Sequence, residues 1–386
     1  MPVLPIEPHP LSPIDQFFIG HSFSIVLRYG ARLDARRVSE ALATVLEAIP
    51  PLTCHLAELE DGRWGLVSPS DSPPHLEVHE VPHLPEDSTG PASASGLVPC
   101  LSAAPGQPVL GVRLTQSPTE SLLGITLAHA VADGFSLFLF LRAWSRAVHG
   151  RPLEPFPWER NLLALEDLTP TAPLSPEDFW RRTGFRWCQP PRDLAAPQPA
   201  SFGTRLVPPE IRTLAADPAL SDNDLLCAWL IQTRADELAG PDGLAVTFPV
   251  DYRRVHGGLP NNYFGNAIRG APLWLARETL ERESLPELAV RVREAVRAVL
   301  HAQGARDSLA CIEGVLRERG GRVLGELHAV DPRAGLLVTN VSRVPFGTLD
   351  FGAGPPAHVL LPAIEPRTAA IQQTDNGYEF SFSAPA

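Results

Sequence analysis

The sequence predicts an α/β protein divided into two sheet-and-helix domains, and three observations lead there. Apolar periodicity switches between the helical and the strand kind in both halves of the chain. At 386 residues the chain exceeds what one hydrophobic core usually supports, whereas two halves would each bury roughly 70% of their unfolded surface. Prolines also crowd its middle, from Pro152 to Pro199, where they interrupt regular elements.

The elements follow in order. Val38, Leu42, Val45, Leu46 and Ile49 recur at helical spacing and define one amphipathic face. Leu122 to Ala128 is an apolar run with β-branched members, which reads as a strand. Beyond Gly134 the spacing of Leu137, Leu141, Trp144 and Val148, with Phe138 on the same side, predicts a helix. These elements belong to an N-terminal lobe over residues 1–165, followed by a Pro-rich linker over 166–200. Phe156, Trp158, Phe179, Trp180, Phe185 and Trp187 argue against disorder around that linker, so it is expected to wrap against the surface. In the C-terminal lobe, 201–386, Ser221 and Asp224 are spaced as a capping box before Leu225, Leu226, Trp229 and Leu230. Gly243–Val250 and Gly335–Val341 read as buried strands, and Leu288, Val292, Ala295, Val296 and Val299 as a second amphipathic face.

The most informative stretch is Leu122–Gly134, LLGITLAHAVADG, which places His129-x-x-x-Asp133-Gly134 at a strand-to-helix turn. A neutral imidazole, with an unperturbed pKa of about 6.5, takes a proton from a hydroxyl or amine near neutral pH and returns it later. His129 is therefore the candidate general base, although a lone histidine after a strand is more often a packed core residue. Asp133 falls where a helix N-cap belongs, and Gly134 is expected to ease the chain through the bend.

Three further segments stand in order around this one. Leu11-Ser12-Pro13-Ile14-Asp15 comes near the start. Val250-Asp251-Tyr252-Arg253-Arg254 is followed by Leu259-Pro260-Asn261-Asn262-Tyr263-Phe264-Gly265-Asn266, and Asp350-Phe351-Gly352-Ala353-Gly354 comes near the end. Together they resemble the BAHD acyltransferases within the wider H-x-x-x-D-G superfamily, which includes carnitine acyltransferases and nonribosomal peptide condensation domains. The resemblance implies a fold like chloramphenicol acetyltransferase: two similar lobes, each a mixed β-sheet with flanking helices, and a channel between them. It implies acyl transfer from a thioester to a hydroxyl or amine of a small-molecule, secondary-metabolite acceptor. Acyl-coenzyme A is the favoured co-substrate, an acyl-carrier-protein thioester the runner-up, and no cofactor is permanently bound. Asp133 would pair with Arg253, with Arg254 in reserve, and that pair together with Gly134 would support the catalytic loop. The D-F-G-x-G segment would be architectural, leaving Asp350 without a chemical role.

Ala353 stands where the family usually has tryptophan, and alanine supplies neither a donor nor a large ring. Another group must then stabilise the tetrahedral oxyanion or shape the pocket. Asn340 and Ser342, at the end of the strand Leu336–Ser342, are the candidates, against a plain role in satisfying a strand end. A superfamily member that has lost transfer and serves as a cyclase or ligand-binding protein is the alternative reading.

Composition narrows the function further. A formal charge of −12 without a cationic run argues against nucleic-acid binding. All 32 basic residues are arginine, so pyridoxal-phosphate Schiff-base chemistry and a P-loop, each of which needs a lysine, are excluded. No G-x-S-x-G or H-E-x-x-H occurs, and His75, His79 and His83 fall in a Pro-rich stretch that reads as a loop, so no metal site is expected. Cys54, Cys100, Cys188, Cys227 and Cys311 form no C-x-x-C pair and fit free thiols in the cytoplasm. No apolar run is long enough to span a membrane.

Overall fold

The computed structural model describes residues 9–60, 62–68, 74–85, 96–101, 106–163, 165–192, 202–213, 220–361 and 366–383. Two sheets dominate it. The first has five strands in the order His358–Leu360, Ser22–Tyr29, Ser121–Ala128, Leu110–Gln116 and Leu76–Glu80, antiparallel except for the last pair. The second has six, in the order Ile268–Ala276, Gly243–Asp251, Gly335–Asn340, Thr368–Thr374, Gly377–Ser383 and Phe202–Leu206. Its two central junctions are parallel and its outer ones antiparallel. Helices Ala35–Ala48 and Gly134–Val148 pack together in the first lobe, and Asp222–Leu238 and Leu285–Val299 in the second. This is the two-lobed mixed architecture that the motifs imply.

Local sequence explains the helices that matter most. Asp133 caps Gly134–Val148 by accepting the Ser136 amide at 2.9 Å, and the Ser221/Asp224 capping box starts Asp222–Leu238 as the spacing predicts. Phe140 and Trp144 are wholly buried, and the Trp144 indole donates to the Val38 carbonyl, which fixes the two helices of the first lobe against each other.

Three details depart from the sequence reading. Leu76–Glu80, expected as loop, is an edge strand whose Leu76 is buried and whose His79 is exposed, while His75 and His83 fall just outside it. The Pro-rich segment does more than lie over the surface: Pro176–Thr183 is a helix packed on Ala302–Arg319, and it carries Phe179 and Phe185 into full burial. Residues 193–200 of that segment lie outside the described residues. Finally, His358–Leu360 crosses over to pair with Ser22–Tyr29 in the first sheet, so one strand of the C-terminal half completes the N-terminal lobe.

The channel arises where two parallel strands part. Gly243–Asp251 and Gly335–Asn340 pair only from Ala245↔Gly335 to Thr247↔Leu337. Beyond that point Pro249 and Asp251 on one strand, and Thr339 and Asn340 on the other, line a cavity. Carboxyl ends of parallel strands are where sheets of this kind open to ligands.

Candidate active site

His129 lies directly opposite a second histidine. Ser22 pairs with Ala128 at the end of the first-lobe ladder, and the His129 amide donates to the His21 carbonyl at 2.9 Å, which extends the pairing by one position. Opposed residues of an antiparallel pair project from the same face. Both histidines accordingly line one cavity of about 320 Å³, with Phe18, Phe135, Phe346 and Asn340 among its other walls.

The His129 ring stacks on Phe18 at 3.8 Å and meets the edge of Phe23 at 4.9 Å. Burial pushes its pKa below the usual 6.5, and its own backbone carbonyl, Asp133 and Asn266 only partly oppose that. The imidazole is thus neutral at pH 7, as a base must be.

Two buried ion pairs hold the loop that presents it. On one side, Arg253 Nη2 lies 2.8 Å from Asp133 Oδ2, with the two residues 2% and 1% exposed. The same nitrogen donates to the Ser136 hydroxyl at 3.0 Å and the Gly265 carbonyl at 2.9 Å, while Asp133 Oδ2 also accepts the Ala267 amide at 3.0 Å. Asp133 is therefore both the helix cap and the partner of Arg253. Arg254 is exposed and takes no part. A β-carbon on Gly265 would lie 2.6 Å from the Tyr263 hydroxyl and 2.7 Å from Arg160 Nη1, so only glycine fits at that crossing.

The second pair escaped the sequence reading. Asp15, fully buried, accepts Arg160 Nε at 2.6 Å, and Arg160 Nη2 donates to the Val131 carbonyl at 2.8 Å, within the His129 loop itself. Asn266 joins the two sides by donating to Asp15 at 2.8 Å and to the His129 carbonyl at 2.7 Å. The capping box Ser12/Asp15 is visible as a local spacing, but Arg160 sits in the Pro-rich stretch with no motif to mark it.

Gly134 and the oxyanion candidates need correction. Gly134 is the first residue of its helix and is not among the glycines with positive φ, so the bend does not require it. A β-carbon there would meet nothing within 4 Å and would point into open space beside a residue that lines the cavity. Asn340 reaches the cavity wall, although its amide nitrogen already donates to Asn223 Oδ1 at 2.9 Å and its oxygen accepts the Ser342 amide at 2.9 Å. Ser342 lines a neighbouring pocket instead, because the chain turns after Asn340.

That neighbouring pocket, about 330 Å³, shares Asn340 with the cavity and is lined by Arg293, Arg297 and Arg343 at the start of Asp222–Leu238. Arg293 lies 3.6 Å from Asp224, and its Nε and Nη1 find no hydrogen-bond acceptor. The Asp350–Gly354 segment is elsewhere. Phe351 packs edge-on against Trp144 at 5.1 Å, and the Asp350 carbonyl accepts the Ser145 hydroxyl at 2.8 Å, near the far end of the helix that starts at Gly134. Among the described residues no cluster of three metal-ligating side chains occurs.

Comparison with known proteins agrees with this geometry. The family model described as the Transferase family matches residues 75–189. Hydroxycinnamoyltransferase 2 of Oryza sativa subsp. japonica is 26% identical over 364 residues, covering 88% of this chain and 80% of that protein. Hydroxycinnamoyl-CoA:5-hydroxyanthranilate N-hydroxycinnamoyltransferase of Avena sativa is 27% identical over 346 residues, covering 84% and 77%. Among solved structures, F. graminearum TRI101 complexed with ethyl coenzyme A superposes with a TM-score of 0.75 at 16% identity, covering 99% of this chain and 95% of that one. Vinorine synthase gives 0.71 at 19% identity, covering 98% and 90%. At such identities the structural likenesses speak for the fold. With four motifs in order, the matched family model and relatives aligned over most of its length, the chain is an acyltransferase similar to the BAHD enzymes.

Proposed function

We propose that His129 is the general base in the transfer of an acyl group from a thioester to a hydroxyl or amine of a small-molecule acceptor. The observation that carries this reading is a neutral imidazole on a cavity wall, its loop held by one buried ion pair on each side. His129 takes the acceptor's proton as oxygen or nitrogen attacks the acyl carbonyl. The tetrahedral oxyanion then collapses, the carbon–sulfur bond breaks, and the departing thiolate receives the proton from the imidazolium. No covalent enzyme intermediate is needed. Asp133 and Arg253 position the base, Gly134 leaves room beside it, and the second amide hydrogen of Asn340 is the donor we assign to the oxyanion. Ser342, outside the cavity, is given no such role.

Acyl-coenzyme A is the favoured donor. The arginine-lined pocket suits its phosphates, and Asn340, shared by both pockets, marks the passage for the pantetheine arm. That TRI101 was captured with ethyl coenzyme A and that the Avena sativa relative uses a hydroxycinnamoyl-CoA support the same choice. An acyl-carrier-protein thioester would present the same arm. The acceptors named for the relatives, among them 5-hydroxyanthranilate, point to secondary metabolism. All five cysteines are free thiols and no described helix is long and apolar enough to cross a membrane, which fits our placement of the enzyme in the cytoplasm.

The test is His129→Ala assayed for thiol release in step with acylated product. We expect turnover to fall by roughly 10²–10⁴ with coenzyme A binding and melting temperature retained. Unchanged turnover in a folded variant removes His129 from the mechanism.

A further inference from the structure

His129 meets the cavity with one ring nitrogen and the protein interior with the other. The residue lines the cavity while its Nδ1 is buried and finds no partner, so Nε2 is the nitrogen that faces substrate. A neutral imidazole carries its single proton on one of the two. With that proton on Nε2 the ring offers the acceptor a donor and takes nothing from it, whereas with the proton on Nδ1 it is a base. Burial keeps the ring neutral at pH 7 and does not choose between these forms.

Asn266 is placed to choose. It is fully buried, and its Nδ2 lies 2.8 Å from Asp15 Oδ1 and 2.7 Å from the His129 carbonyl oxygen. A carboxylate held by Arg160 and a backbone carbonyl can both only accept, so the atom between them has to be the nitrogen, and both its hydrogens are spent there. The other end of the amide is then Oδ1, an acceptor alone, and it too is buried with no partner. The carbonyl that Asn266 grips belongs to the same residue as the unanswered Nδ1. The Asn266 side chain also favours the protonated imidazole, which is the effect of an acceptor beside an N–H. Two buried polar atoms left unmatched are costly, and one hydrogen bond between them satisfies both.

We infer that Asn266 is a positioning residue whose Oδ1 accepts the Nδ1 proton of His129 and so fixes the tautomer that leaves the Nε2 lone pair facing the cavity. Asp15, braced by Arg160, turns the amide the right way round, which gives the second buried ion pair a part in setting the base as well as in holding the loop. The inference rests on His129 as the general base and adds what selects its reactive form.

Neutron diffraction from the full wild-type chain at neutral pH locates the proton without any substitution. We expect a deuteron on His129 Nδ1 directed at Asn266 Oδ1 and none on Nε2. A deuteron on Nε2, or one on Nδ1 directed only at the carbonyl of His129 itself, overturns the inference. The pH–rate profile then reads function. Asn266→Leu keeps the size and removes the amide, so kcat should fall by about 10–100-fold with KM for the donor within about twofold. The acid midpoint of kcat/KM should move below that of wild type, because an acceptor that favours the charged ring is gone. A merely loosened loop admits water and moves the midpoint up toward about 6.5 instead. The other titratable groups around the ring are His21, held neutral by its own burial, and Asp15, Asp133 and Asp251, each paired with arginine, so the shift is read at His129. An unchanged kcat, or a midpoint that stays or rises, overturns the inference. Asn266→Ala gives the same readings should Asn266→Leu fail to fold, and if neither folds the wild-type proton position decides. A wild-type-like Asn266→Leu beside an inactive His129→Ala strikes Asn266 and leaves the base, whereas an active His129→Ala strikes both.

Discussion

The two ends of the helix Gly134–Val148 are built on one plan and do different work. Each has an aspartate beside a basic side chain: Asp133 with Arg253 at the start, and Asp350 with His149 at the end, where His149 Nε2 lies 3.3 Å from Asp350 Oδ2. Fifteen residues, about 22 Å of helix, separate them. At the first end both side chains are 2% exposed, at the second 39% and 27%. Burial is what separates a brace from a cap. Water can replace any partner of Asp350, whose Oδ1 mainly shapes its own turn by accepting the Gly352 and Gly354 amides at 2.7 and 2.9 Å. Gly352, at φ 101°, needs the freedom of glycine for that turn. Nothing can replace Arg253 once Asp133 is sealed in. The same contrast explains why alanine at position 353 is compatible with acyl transfer: the segment that carries it lies at the far end of the helix from the cavity.

The comparison can be broken most directly at Asp133. Asp133→Ala leaves the Arg253 charge buried and is expected to cost about 3–5 kcal/mol of stability together with most of the activity. A double-mutant cycle with Arg253→Met should show strong coupling, and additive losses in thermal melts would refute the pairing. The pH profile comes next. Burial lowers the pKa of both His129 and His21 below 6.5, so the unfolded chain binds protons first as pH falls, and the stability these two groups contribute is fully present above that value and lost in acid. kcat/KM should be level between pH 7 and 8 with its acid midpoint below 6.5, and a midpoint above 7 would contradict a desolvated base. The smallest effect belongs to the other end of the helix. Asp350→Ala, at a half-exposed pair, should cost about 0–1 kcal/mol with kcat within about twofold of wild type. A loss as large as that at Asp133 would erase the distinction drawn between the two ends.

Much of the first end was readable along the chain. The switch from strand to helical periodicity located the His129 turn, the N-cap preference of aspartate located Asp133, and the order of the four motifs supplied both the two-lobed fold and Arg253 as the partner to expect. Asp15 and Asn266 sat inside quoted motifs without a role, because a motif preserves residue identity and not what a side chain touches. Arg160 lay in the Pro-rich stretch, where no periodicity or motif distinguishes one arginine from another. Gly134 was read through a bend it does not make, since a sequence shows that glycine permits unusual backbone and not whether the backbone uses it.

Sequence by itself determined the local matters: where helices begin, which faces are apolar, which residue we propose as the base, and which chemistries are absent for want of a lysine. These follow from periods of two or 3.6 residues and from side-chain identity, both written within a few positions of the residue concerned. Tertiary structure decided what depends on distant partners. Asp15 meets Arg160 across 145 positions, Asp133 meets Arg253 across 120, and His358–Leu360 joins a sheet whose other strands end by residue 128. The cavity itself exists because two parallel strands stop pairing after three residues, a separation set by the packing of both lobes. Burial, and with it the pKa of His129 and the difference between Asp133 and Asp350, is a property of the assembled interior, since desolvation is the sum of everything that surrounds a charge.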